Sequence, residues 1–364
     1  MSVVSLQHEA GSAHLIEACR HRLRRRMRIA ITIDFDAISG YLGTGHTPQN
    51  TLSDYSAGLF SANVGVDRVL RLLAKHGIAK DVTWFIPGHS MESFPRQTRD
   101  IIDSGAEIGL HGYSHEGAPA MALQQERDVL DKCIDLAGSL LALSATNKHE
   151  KAVGYRAPLY QIRESTIELL QEKGFLYDSS LNGHDSLPYL LPRKISGPGE
   201  GQGPKIPDYT KPASTWMVPF VVPDPPALGS PEAEHALVEI PGSWYTEDLT
   251  PLGYYPYSSA TQGYVSVEVV EKMWWDRFEW LWENECNVED DDGGSGNGSA
   301  AFGSIFPLIW HPEGVGRSHV IGMVDRFLSK LVAKRNEASD GEVTFDTMQS
   351  IARDFKCQTD SRGQ

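Results

Sequence analysis

The chain has 364 residues, 40% of them hydrophobic, and a formal net charge of −15. That length and apolar content suffice for one large buried core, and the acidic balance excludes general attraction to nucleic acid or anionic lipid, which select for Lys and Arg. A neutral or cationic substrate is easier to accommodate.

The four cysteines, Cys19, Cys133, Cys286 and Cys357, stand far apart with no Cys-x-x-Cys pair, so neither a zinc knuckle nor a disulfide framework is indicated. No run approaches the roughly 18 apolar residues of a membrane span, and no apolar secretion signal opens the chain. The expectation is a soluble, cytoplasmic protein with no membrane and no nucleic-acid partner.

In chain order, the first 26 residues carry Arg20, Arg22, Arg24, Arg25 and Arg26 beside Glu9 and Glu17. They are read as a basic extension outside the core, because Met27 stands immediately before the first convincing strand. Seven apolar runs then read as buried parallel strands: Arg28–Phe35, Val82–Pro87, Glu107–His111, Gly154–Ala157, Phe175–Ser179, Leu237–Pro241 and Ile305–His311. Segments with helical spacing lie between several of them, such as Val66, Val69, Leu70 and Leu73, or Leu130, Cys133, Ile134, Ala137, Leu140 and Leu141. Gly77, Gly105 and Gly174 sit where helices end. This alternation predicts an α/β fold, a parallel barrel of about seven strands. Leu331, Phe345, Met348, Ile351 and Phe355 suggest two closing helices after the last strand.

The catalytic unit is thus expected to be a single barrel over residues 27–357, with loop insertions at 197–231 and 286–303 and a frayed tail at 358–364. Residues 197–231 are crowded with Pro and Gly yet contain Trp216, Met217, Phe220, Val221 and Val222, which predicts an ordered loop packed on the body. Acidic Glu289–Asp292 followed by Gly293–Ser299 reads as disordered.

Four strand ends carry chemistry. The first ends Asp34-Phe35-Asp36, and residues two apart on a strand share a face, so both carboxylates aim at one place. Two buried acids repel unless a cation or a proton intervenes. The third strand leads into His111 and His115, four residues apart and expected on one side of a helical turn. One carboxylate with two imidazoles makes a facial triad that leaves positions for water and substrate. The fourth strand delivers Arg156, suited to hold an aspartate ionised, followed by Ala157-Pro158-Leu159. The seventh stops at His311, a natural proton donor. All four fall at carboxyl ends of parallel strands, where such barrels place active sites.

These residues resemble the motifs of the polysaccharide deacetylases, the carbohydrate esterase family four or NodB-homology group, over roughly Arg28 to Arg317. Asp34-Phe35-Asp36 is similar to the family's first motif, His111 with His115 to its second, Arg156-Ala157-Pro158-Leu159 to its third and Leu308 to His311 to its fifth. Asp178 with Trp244 is taken for the fourth. The resemblance implies one divalent metal, zinc by default with cobalt, nickel, iron or manganese as alternatives, held by Asp36, His111 and His115. It implies Asp34 as the base, His311 as the acid, Arg156 as the support of Asp34, and the backbone N–H near Leu159 as an oxyanion donor. Trp244, after the sixth strand, is placed on the substrate wall; Tyr41, His46, His89 and His184 are other candidates for it.

The Asp-x-Asp form, residues Thr47–Gly58 and Phe85-Ile86-Pro87-Gly88-His89 look like the intracellular branch of peptidoglycan-deacetylase-like, allantoinase-like and cyclic-imidase-like proteins. Two functions follow from the resemblance: N-deacetylation of acetylated amino sugars or oligosaccharides of chitin or peptidoglycan type by metal-activated water, or ring opening of small cyclic amides or imides. An inactive carbohydrate-binding protein is the third reading, and the complete set of acids and ligands argues against it. The partner is a small molecule or an oligosaccharide, and homo-oligomerisation stays open.

Overall fold

The computed structural model describes residues 24–43, 50–147, 149, 151–192, 207–219, 224–227, 230–254, 263, 265–288, 302–339 and 341–360. Its strands are β1 (Arg24–Asp34), β2 (Thr83–Ile86), β3 (Glu107–Leu110), β4 (Gly154–Tyr155), β5 (Tyr177–Asp178), β6 (Tyr189–Leu190), β7 (Val238–Glu239), β8 (Asn287–Val288), β9 (Ser304–Trp310) and β10 (Gly341–Phe345). All seven expected strands are present. They pair in parallel in the order β9-β1-β2-β3-β4-β5-β7 and curl into a distorted (β/α) barrel with helices around it.

β1 is the longest strand because it serves both of its edges along their length. One edge meets β9 over Met27–Ile33; the other meets β10 over Arg25–Ile29 and then β2 over Thr32–Asp34. Its residues Met27, Ile29, Ile31 and Ile33 are fully buried on the core side. On the far side of β9, Ile309 N–H donates to the Thr246 carbonyl and Asp248 N–H to the Ile309 carbonyl, each at 3.1 Å. That contact brings the segment after β7 alongside β9 and curls the sheet around the core.

The helices Val66–Lys75, Leu123–Ala142, Glu164–Glu172, Val267–Asn284 and Ile321–Glu337 each bury an apolar stripe against the sheet. Gly77 and Gly174 follow two of these helices with φ of +68° and +72°, the left-handed stop that other residues adopt at a cost.

Several expectations need correction. The first strand starts at Arg24 rather than beyond Met27, because Arg25 and Arg26 pair with Gly341 and Glu342. Phe345 ends β10 instead of belonging to a closing helix; the two closing helices are Ile321–Glu337 and Met348–Asp360, and a strand lies between them. In residues 207–219 Met217 and Val218 are exposed, and Trp216 meets Tyr209 of the same segment at 5.9 Å between rings. Pro207, Pro212 and Pro219 interrupt any regular face with which that segment could dock on the body. Phe220, Val221, Val222, His46 and residues 289–301 lie outside the described residues, as does most of the N-terminal extension. No helix among the described residues is long and apolar enough to cross a membrane.

Candidate active site

The site is built from the carboxyl ends of β1, β3, β4 and β9. Phe35 is fully buried and turned away between the two aspartates, leaving Asp34 and Asp36 on one face as the strand period requires. Arg156 is fully buried behind them. Its Nη1 donates to Asp34 Oδ1 at 2.6 Å and to Thr32 Oγ1 at 2.9 Å, while Nε and Nη2 donate to the Ser179 carbonyl and hydroxyl. The guanidinium also lies over the Phe85 ring at 4.2 Å. A carboxylate gripped in this way has one orientation.

The segment from His111 to His115 is a loop, not the helical turn expected from the spacing. Gly112 and His115 both take positive φ, +65° and +60°, and the Glu116 carboxylate accepts the N–H groups of Tyr113 and Ser114. The loop still converges both rings, whose centroids are 4.9 Å apart. His111 Nδ1–H donates to the Arg156 carbonyl at 2.7 Å, which fixes the tautomer and leaves Nε2 with its lone pair. That Nε2 stands 3.5 Å from Asp36 Oδ1, and His115 Nε2 stands 3.5 Å from Asp36 Oδ2.

Among the described residues Asp36, His111 and His115 form a cluster able to hold a metal ion, with donor atoms within 4.8 Å of one another. Asp36 Oδ1 is buried and accepts no hydrogen bond. A buried carboxylate oxygen left bare beside the His111 lone pair, with the His115 ring on the other carboxylate oxygen, is a donor set suited to a divalent cation, so the residues fit one.

His311 Nδ1–H donates to Asp248 Oδ1 at 2.8 Å, and its Nε2 faces Asp36 Oδ2 at 3.8 Å and Asp34 Oδ2 at 3.9 Å. Asp248 is itself fixed, accepting the N–H groups of His311 and Val315. Asp248, which no motif named above includes, is thus the acid paired with His311. Asp178 instead shares the Ser180 N–H with Glu239, away from His311. The sequence signal was present, an acid shortly after the sixth strand; choosing Asp248 over Asp178 required knowing that residues 246–248 run beside β9.

Electrostatics separates the roles. Burial raises Asp34, but Arg156, His111 and His311 outweigh it and hold Asp34 below the usual carboxylate range. Burial raises Asp36, with Asp34 and Asp248 adding to it, and the net direction is up. His115 is pushed down to about 4, first by burial and then by His311, which keeps it neutral. Burial opposes a charged His311, yet Asp248, ahead of Asp36 and Asp34, pushes it up to about 10. A cation held by Asp36, His111 and His115 would offset the last two and leave the Asp248 contribution.

Backbone strain collects at the same place. Every non-glycine residue with positive φ among the described residues adjoins or belongs to the site: Ala37 after Asp36, His115, and Leu159 and Tyr160 after Arg156. Leu159 is part-buried at φ +50°, and Trp244, 38% exposed, stands edge-on to Tyr160 at 4.7 Å. A small cleft beside Asp34, Asp36 and His311 is lined by Ala37, Gly40, Tyr41, Ser61, Leu249 and Glu313. Tyr41 is thus in the cleft, whereas His184 is exposed.

A carboxylate gripped by arginine, a carboxylate–imidazole cluster and an imidazole backed by a carboxylate, all at the mouth of a parallel barrel, define a hydrolase-type site. Residues 54–177 match the family model described as polysaccharide deacetylase. The chain is 46% identical over 332 residues to the peptidoglycan deacetylase-like protein of Gibberella zeae, covering 91% of this chain and 87% of that one. It is 33% identical over 333 residues to the peptidoglycan deacetylase of Helicobacter pylori, covering 92% and 97%. The chain therefore belongs to the polysaccharide deacetylase family. In fold it is similar to a solved polysaccharide deacetylase-type structure from Mycobacterium smegmatis, with a TM-score of 0.66 at 24% identity over 92% of each chain. It is also similar in fold to PuuE allantoinase, with a TM-score of 0.61 at 18% identity over 93% and 92% of the two chains.

Proposed function

We propose that this protein is a metal-dependent N-deacetylase of acetylated amino sugars or their oligomers. The observation that carries the reading is the bare, buried Oδ1 of Asp36 facing His111, with Asp34 locked by Arg156 beside it. The names of the Gibberella and Helicobacter relatives point the same way. Asp36, His111 and His115 would hold one divalent cation, zinc being the first choice and cobalt, nickel, iron or manganese the alternatives. When bound, it supplies a Lewis acid that polarises the acyl oxygen and makes water acidic.

The residues of the chain do the rest. Asp34 stays ionised in the grip of Arg156 and takes the proton of the attacking water through Oδ2. His311, charged and oriented by Asp248, delivers its Nε2 proton to the departing nitrogen as the C–N bond breaks. A backbone N–H near the left-handed turn at Leu159 would donate to the oxyanion, and Trp244 with Tyr160 would wall the substrate.

The deciding experiment offers the purified protein, loaded with each metal in turn, acetylated chito-oligosaccharides and a panel of cyclic amides. Acetate release from the sugars supports the reading. Ring opening without acetate replaces it by cyclic-imide hydrolysis, and sugar binding without turnover replaces it by an inactive carbohydrate-binding protein.

A further inference from the structure

The cleft beside Asp34, Asp36 and His311 has a wall built around Glu313. Glu313 lies two residues beyond His311, and its carboxylate accepts the Tyr41 O–H at 2.6 Å. Its backbone is pinned as well, since Arg317 Nε donates to the Glu313 carbonyl at 3.0 Å. Pro312, next to it, is packed so tightly on the helical turn Ser61–Gly65 that a Cβ on Gly65 would stand 2.3 Å from the Pro312 carbonyl oxygen. That turn is a π-helix, a form concentrated at functional sites, and it puts Ser61 into the same cleft. No lysine or arginine lines this cleft among the described residues; His311 is its one cationic group, and Asp34, Asp36 and Glu313 are its acids.

We infer that Glu313, braced by Tyr41, is the specificity-determining residue of this cleft: it accepts a hydrogen bond from a hydroxyl or from the departing amine of an amino sugar, and it rejects substrates bearing a carboxylate beside the scissile amide. This rests on the deacetylase reading and narrows it. When an acetamide is hydrolysed, water oxygen bonds to the acyl carbon, the C–N bond breaks, and the nitrogen leaves as an amine with the His311 proton. That amine is a hydrogen-bond donor and becomes cationic on taking a further proton from solution, which a carboxylate nearby favours. Opening a cyclic imide leaves the nitrogen in an amide, which gains no charge, so an acid in the cleft gives it no comparable help.

The test compares two substrates, a neutral N-acetylated amino-sugar oligomer and the same oligomer with a carboxylate-bearing ether beside the acetamide. The wild type should prefer the neutral one. Glu313→Gln, which keeps an oxygen for Tyr41, should lower kcat/KM on the neutral substrate about tenfold and shrink the preference, with metal content unchanged. Tyr41→Phe should do the same more weakly. A Glu313→Gln protein with wild-type kcat/KM and wild-type preference overturns the role of Glu313 alone. A wild type that releases acetate from neither substrate overturns the deacetylase reading and this assignment with it.

Discussion

The two ends of the barrel both bury carboxyl groups, and they treat them in opposite ways. At the amino ends of the strands, Glu107 is 1% exposed and every oxygen is satisfied. Oε1 accepts the Tyr177 O–H at 2.7 Å, and Oε2 accepts the Thr83 hydroxyl and the Gln349 N–H, each at 2.8 Å. Thr83 in turn accepts the Met348 N–H, so the network ties the last helix to the strand ends. At the carboxyl ends, Asp36 keeps a bare oxygen and three imidazoles turn Nε2 toward it or its neighbour Asp34. A saturated network holds a structure together; an unsaturated one has a place for something else.

The difference is testable by breaking each end in turn. The largest effects belong to the open end: His111→Ala or Asp36→Asn should empty the site, which elemental analysis reads as loss of close to one metal per chain, and activity should fall to background. Asp34→Asn should keep the metal and lose about 10²–10⁴-fold in kcat, because an amide cannot accept the proton of water. Full metal in all three variants with activity retained would remove the site as drawn.

A smaller loss is expected from Asp248→Asn. The asparagine still contacts His311 but no longer holds its charge, so kcat should fall about 10²-fold and the alkaline limb of the pH–rate profile should move to lower pH. An unchanged profile would mean that Asp248 does not act through His311.

At the closed end the signature reverses. Glu107→Ala strands the Tyr177 hydroxyl and the Gln349 N–H in the core, so chemical denaturation should show a loss of about 2–4 kcal/mol. Metal content and the rate per folded molecule should stay at the wild-type level. A collapse of kcat in the folded variant would show that the two ends are coupled.

Between these extremes lies the pair Asp178 and Glu239, both fully buried and both within 3.0 Å of the Ser180 N–H. Burial pushes Asp178 up to about 6 and, with Asp178 adding to it, raises Glu239 well above its ordinary range. A carboxyl raised on folding contributes stability fully present below its unfolded value of about 3.9, and that contribution is lost as pH rises through its folded value, here about 6. Thermal midpoints should therefore fall from pH 4.5 to 7.5 by a few degrees more in the wild type than in Asp178→Asn. Parallel curves would show that the pair keeps the same proton throughout.

The comparison also shows what was legible beforehand. Asp34, Asp36, His111, His115, Arg156 and His311 each stop or follow an apolar run, so their convergence at one end of a parallel barrel follows from the strand pattern. Asp248, Tyr41 and Glu313 carry no such mark. Asp248 and Glu313 sit on loops and Tyr41 closes a short 3-10 turn, whereas Asp178 lies within the expected strand Phe175–Ser179. Glu107 was legible as a strand residue but not as the centre of a network, because its partners Thr83, Tyr177 and Gln349 lie 24, 70 and 242 residues away.

By itself, then, the sequence determined the strands, their parallel alternation with helices and the residue types brought to the mouth, since buried strands announce themselves by local apolar runs and strand ends inherit their position from them. Only the tertiary structure decided which groups touch. It placed residues 246–248 beside β9, which gives His311 its carboxylate. It inserted β10 against the first half of β1, where two helices in succession were expected. It also bent His111–His115 into a left-handed loop held by Glu116. These contacts join positions far apart in the chain or depend on backbone angles that side-chain identity does not specify, and register between strands, not composition along them, selects the partners.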